Sequence, residues 1–169
     1  MKRLFLVALL GLTFVTLGLA QTKVEPSFEQ LVQIKQALSP FEDVKAAVAA
    51  GYKPFMDCMS GPQGGQGYHY TNAALLDDPK LDPMKPEALM YEKTANGSLR
   101  LIGVEYLVIQ KAWHDAGNKP APVLLGREFY LNTTLLEQPF YGLHLWLWQY
   151  NPLDVFANWN PLVTCQNMK

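Results

Sequence analysis

Hydrophobic and polar positions along the chain change period once. From Ser27 to Leu38, in SFEQLVQIKQAL, apolar Phe28, Leu31, Val32, Ile34 and Leu38 recur at helical spacing. Glu29, Gln30 and Lys35 fall largely on the other side, so the stretch predicts a first helix. In SPFEDVKAAVAAGY, Ser39 reads as an N-cap, Pro40 as the first helical residue and Glu42 as the partner in a capping box. Phe41, Val44, Ala47 and Val48 then make the stripe to be buried, and Gly51 is the expected stop. Two helices joined tightly at Ser39-Pro40 are expected.

After Gly51 the period shortens to two. GYHYTN, EALMYEK, SLRLIGVEYLVI, REFYLN and FYGLHLWLWQY are short, aromatic and β-branched, with Gly, Pro, Asn and Asp clusters between them. They read as strands separated by turns. Asn96-Gly97 predicts a hairpin with a type I′ turn. LLDDPKLDPMKPE, with three prolines, reads as an exposed connector, and KAWHDAGNKPAP as a helical turn followed by a loop. NPLDVFANWNPLVTC, with two Asn-Pro pairs, reads as irregular chain wrapped on the sheet. Helices first and hairpin-ordered strands afterwards give an α+β class: two N-terminal helices packed on a curved, mostly antiparallel sheet or small open barrel.

Three polar residues interrupt these apolar strands. His69 lies in GYHYTN, Glu105 in LRLIGVEYLVI and His144 in FYGLHLWLWQY. Alternation puts His144 on the face of Trp146 and Trp148, and Glu105 on the face of Leu101, Gly103 and Leu107. A carboxylate in such a strand is costly unless it meets a cation or several donors. Two imidazoles and one carboxylate are also the donor set of a facial metal site with open positions, suited to Zn, Mn, Fe or Cu. The competing reading gives each a separate structural role: Glu105 solvated or paired with Arg100 or Arg127, His69 capping a turn, His144 a core histidine. Tyr70, Tyr106 and Trp146 are candidates to shape a ligand pocket beside the three. His114, beside a loop, is a weaker candidate.

The run GPQGGQGYHY, residues 61–70, raises the question of phosphate binding. It lacks the Lys and hydroxyl of a Walker loop and precedes a strand where such loops open a helix, so it reads as a turn. Met56, Met59, Met84 and Met90 suggest copper through soft thioethers, but such residues are more often flexible core filler. No Gly-x-Ser-x-Gly elbow is present.

The first twenty residues change the compartment. Lys2 and Arg3 precede an apolar run from Leu4 to Leu19, and Gly18 and Ala20 sit where a signal peptidase needs small residues. Cleavage after Ala20 is expected, leaving residues 21–169 as a single domain with no stable membrane span. It removes two of 14 basic residues and none of the 15 acidic ones, leaving 12 against 15. Such a mildly acidic surface argues against nucleic acid. The two cysteines, Cys58 and Cys165, both lie in the exported part and read as one disulfide; without CxxC spacing or a third cysteine, a thiolate site has little support.

The stretches AAVAAGYKPFMDCMSGPQGGQGYHYTN, PEALMYE, LRLIGVEYLV and HLWLWQYNPLDVFANWNPLVTC together resemble a family of small exported bacterial proteins with no assigned activity. The resemblance covers most of the chain after the signal and includes Cys58, His69, Glu105, His144 and Cys165. It implies the architecture and the disulfide, and no reaction. The leading expectation is therefore an exported protein with a metal or small-ligand site at His69, Glu105 and His144. The alternatives are a non-catalytic module gripping a ligand through C-terminal-strand aromatics, and a structural cell-envelope domain.

Overall fold

One long strand, Leu99–Ile109, buried on both faces over most of its length, organises the molecule. The computed structural model describes residues 25–165, so the expected signal segment lies outside the described residues. Helix α1 (Phe28–Leu38) begins at Ser27, whose side chain accepts from Gln30 N while the Gln30 side chain accepts from Ser27 N. The expected second helix from Ser39 does not form as read. Ser39 caps the C-terminus of α1, Ser39–Glu42 is a 3₁₀ turn, and α2 (Val44–Ala49) starts anew at Asp43, whose carboxylate accepts from Lys45 N. Pro40 removes the amide that would continue α1, and Asp43 offers the stronger local cap. Gly51 does close α2, at φ +97°.

Nine strands follow among the described residues: β1 (Lys53–Pro54), β2 (Met59–Gly61), β3 (Gly64–Thr71), β4 (Ala88–Lys93), β5 (Leu99–Ile109), β6 (Val123–Leu124), β7 (Arg127–Glu128), β8 (Tyr130–Asn132) and β9 (Phe140–Leu145). Two short helices, α3 (Ala73–Leu76) and α4 (Gln110–Asp115), lie between them. The main sheet runs β1-β3-β4-β5-β9-β8 with β2 on β3, all antiparallel, and β6 and β7 pair separately. The sheet does not close into a barrel.

Each face of this sheet has its own role. Leu89, Tyr91, Val104, Tyr106, Val108, Tyr141, Leu143 and Leu145 point to one face and pack with Ile34 and Leu38 of α1 and Ala47 of α2. The opposite face carries His69, Ala88, Met90, Glu105, Leu107, Phe140 and His144, by strict alternation in register. A bulge where Met90 pairs with Gly103 and Tyr91 with Leu101 sends Leu101 to the helix-covered core, away from the face of Glu105. Trp148 also departs from the alternation, because β9 ends at Leu145; its indole donates to Glu42 Oε1.

Two turns differ from expectation. The β4–β5 connection is a five-residue loop, with Lys93 paired to Leu99 and Gly97 at φ +83°; Thr94, Asn96 and Ser98 bond one another inside it. The glycine run lies partly within β3. Gly65 pairs with Asn160, and a Cβ on Gly64 would come 2.1 Å from the Asn160 carbonyl oxygen. The run is thus the seat of the C-terminal tail. That tail is held by three Asx turns, at Asn151, Asp154 and Asn160, and by the Cys58–Cys165 disulfide, with Cα atoms 5.7 Å apart.

Glu87 is a buried exception, 1 % exposed, accepting from Leu107 N. Burial pushes its carboxyl up to about 8, helped by the charges of Glu105 and Asp78 and opposed by backbone donors. The folded chain then holds a proton that the unfolded chain releases near its ordinary 4.5, so stability falls as pH rises from about 4.5 to about 8. Glu87→Gln keeps an acceptor for Leu107 and is expected to gain on the order of 2–4 kcal/mol at pH 8 and little near pH 4.5. Urea unfolding at the two pH values checks this; an equal effect at both contradicts it.

Candidate metal centre

Three strands deliver the site. His69 comes from β3, Glu105 from the centre of β5 and His144 from β9, where Glu105 and His144 are direct cross-strand partners. His69 Nε2 lies 3.4 Å from Glu105 Oε2, and His144 Nε2 lies 3.7 Å from Oε1. One donor atom from each of the three lies within 4.8 Å of the others. Ligands held ~2.0–2.2 Å from a tetrahedral ion are separated by roughly 3.3–3.6 Å, so little movement would close this set around one. The group could hold a metal ion.

Tyr130 completes the arrangement. It sits opposite Gly142 in the β8–β9 register, and its hydroxyl donates to Glu105 Oε1 at 2.7 Å. A Cβ at Gly142 would stand 2.7 Å from that hydroxyl and 3.0 Å from Oε1, so glycine is what lets the phenol lie across β9. The Tyr130 ring stacks on His144 with an interplanar angle of 4°, and Trp146 covers His144 at 15°. Trp146 is itself fixed by its indole donating to the Ala157 carbonyl.

Burial sets the electrostatics. Taken alone it would raise the Glu105 carboxyl, but His144 and His69 beside it and the Tyr130 hydrogen bond outweigh burial and hold it at about 2. The carboxylate is therefore ionised. Burial pushes the His144 ring down, with His69 adding to the effect; Glu105 and the Asn158 side chain pull the other way without reversing it. Tyr130 is pushed up, by burial and then by Glu105, and keeps its proton. His144 is wholly buried, yet neither of its ring nitrogens meets hydrogen-bond geometry, nor does His69 Nδ1.

A cavity of about 330 Å³ reaches two of the three, His69 and Glu105; His144 does not line it. His69, Glu105, Tyr130, Gln66 and Asn158 line it together with Phe55, Met56, Met59, Leu107, Ile109, Phe140 and Trp159, among others. The three sequence-predicted ligands are thus brought together, but the expected pocket aromatics are not. Tyr70 and Tyr106 are one residue out of phase with His69 and Glu105, so they face the helix-covered core; Tyr70 packs on Tyr91 and Tyr106 donates to the Pro83 carbonyl. Trp146 lies behind His144 and does not line the cavity. Glu105 is bonded to neither Arg100, which pairs with Glu92, nor Arg127, which pairs with Asp154 and Glu25. His114 stands apart, 3.3 Å from the Tyr141 hydroxyl. Met56 and Met59 reach the cavity, whereas Met90 packs with Ile102 and Trp146.

Sequence reasoning missed Tyr130, Gln66 and Asn158. Tyr130 carried a signal, its place in the short aromatic strand REFYLN; Asn158, in irregular tail, carried none. Comparison of the chain with protein-family models, curated proteins and solved structures finds no match.

Proposed function

We propose that the protein is exported and binds one first-row divalent ion, Zn²⁺, Mn²⁺, Fe²⁺ or Cu²⁺, through His69, Glu105 and His144. The observation that carries this reading is the state of His144, wholly buried with neither nitrogen in hydrogen-bond geometry, Asn158 and Glu105 beside it notwithstanding, and its Nε2 turned toward the Glu105 carboxylate. Buried polar atoms are almost always satisfied, so an orphaned imidazole in a cluster of donors calls for a partner. Coordination supplies it and also offsets the cost of burying the Glu105 charge. Three protein donors leave coordination positions open, and the cavity gives a small ligand access to them. Tyr130 orients the carboxylate, the usual part of an outer-shell group. The disulfide, and the lack of any helix among the described residues long and apolar enough to cross a membrane, are consistent with export.

Thermal melting tests the reading. Chelator-treated protein at 100 times its Kd of added ion should gain about 2.7 kcal/mol, a rise of roughly 5–10 °C for a chain of this size. His69→Ala and His144→Ala should lose that rise. A wild-type melt that ignores all four ions and the chelator contradicts the proposal.

A further inference from the structure

Resting on the metal reading, the cavity lined by His69 and Glu105 specifies what occupies it. We infer that the bound ion presents its open position to an apolar monocarboxylate, of the size of a medium-chain fatty acid, whose chain lies along the cavity. Charge is the first ground. Among the described residues that line the cavity none is Lys, Arg or Asp, and Glu105 is the one carboxylate. With neutral imidazoles, a divalent ion and Glu105⁻ leave a net charge of +1 in a buried place. An uncompensated buried charge is costly, and a monoanionic oxygen donor removes it. A second negative charge on the ligand would restore the cost with opposite sign.

The walls supply the second ground. Leu107, Ile109, Phe140 and Leu136 line the cavity with carbon, and Phe55 and Leu135 at its edge are 45 % and 40 % exposed. An apolar rim of this kind is what an alkyl or aryl chain meets on entering; Gln66, Thr71, Asn132, Thr134 and Asn158 also line the cavity and are outnumbered by its apolar side chains. Size is the third. A 150 Å³ apolar cavity holds benzene, so about 330 Å³ accommodates roughly a dozen non-hydrogen atoms. Decanoate has that size. Without the ion, the Glu105 carboxyl faces the same cavity and no cation is there to draw a second carboxylate, so binding of the two is coupled.

The test is calorimetric titration of sodium decanoate, below its micelle concentration, into Zn²⁺-loaded and chelator-treated protein, with decanol and decylamine as parallel probes. Decanoate is expected to bind the loaded protein at least 10-fold more tightly than the stripped protein, with decanol indifferent to the ion. Leu136→Trp, which narrows the cavity from a half-buried wall position, should weaken decanoate at least 10-fold while retaining one Zn²⁺ per chain. Leu135→Trp at the rim is the second variant, should the first fail to fold. Stoichiometric Zn²⁺ with decanoate no tighter than decanol, or decylamine preferred, overturns the ligand class and leaves the metal reading standing. Decanoate binding unchanged in a folded cavity variant overturns its placement. Absence of binding of any of the four ions overturns both.

Discussion

Replacing Cys58 and Cys165 together by serine is expected to lower stability by about 2–5 kcal/mol, read as a lower urea midpoint than the oxidised wild type. The two cysteines stand 107 residues apart, so the bond closes most of the described chain into one loop. In the chain-entropy account a loop of this size is worth about 4.7 kcal/mol, and native disulfides in small exported domains typically deliver 2–5. The loss should be uneven. The tail that Cys165 anchors supplies Asn158 and Trp159 to the cavity and the Ala157 carbonyl that fixes Trp146 over His144. Loosening it should therefore expose the site before the sheet unfolds, seen as amide exchange rising first in β2, β3 and residues 151–165. An unchanged midpoint would mean that the seating of the tail on Gly64 and Gly65 suffices without the bond.

Glu105→Gln is expected to reduce ion affinity at least 100-fold while the protein stays folded. Loss of an outer-shell partner typically costs 10–100-fold, and this change removes the one anionic ligand from the inner shell. Glutamine retains the shape, and its carbonyl oxygen still accepts from the Tyr130 hydroxyl, so the packing of Tyr130 over His144 is kept. The change also removes an ionised group from a buried position, which limits any loss of stability in the metal-free protein. Parallel ion titrations and melts of the two proteins check both parts. A variant that binds the ion as tightly as wild type would remove Glu105 from the ligand set.

The site was more legible in the sequence than the pocket. A charged or imidazole residue inside an apolar strand is visible because burial makes it costly, and that cost marked His69, Glu105 and His144 before their positions were known. Strand order and register, which bring Glu105 opposite His144 and His69 across from Met90, depend on pairings between segments tens of residues apart. Local patterns do not encode those pairings. The same alternation that linked Glu105 to Leu107 also separated it from Tyr106, so parity alone argued against Tyr106 and Tyr70 as pocket walls. Much of the wall comes from connections: Phe55 and Met56 before β2, Leu135 and Leu136 between β8 and β9, and Trp159 from the tail, beside Leu107, Ile109 and Phe140 of the strands. Irregular segments have no period to read. At the N-terminus, Ser39 showed how two cap signals compete, since Asp43 four residues later starts α2 and leaves Ser39 to end α1.

The central claim, one ion held by His69, Glu105 and His144, is tested most directly by titrating metal-free protein with Co²⁺ and recording its visible absorption. The account predicts d–d bands that saturate at one equivalent and are displaced by Zn²⁺. In the His69→Ala/His144→Ala double variant those bands should be absent. Absorption that rises without saturation, or bands unchanged in the double variant, would contradict it.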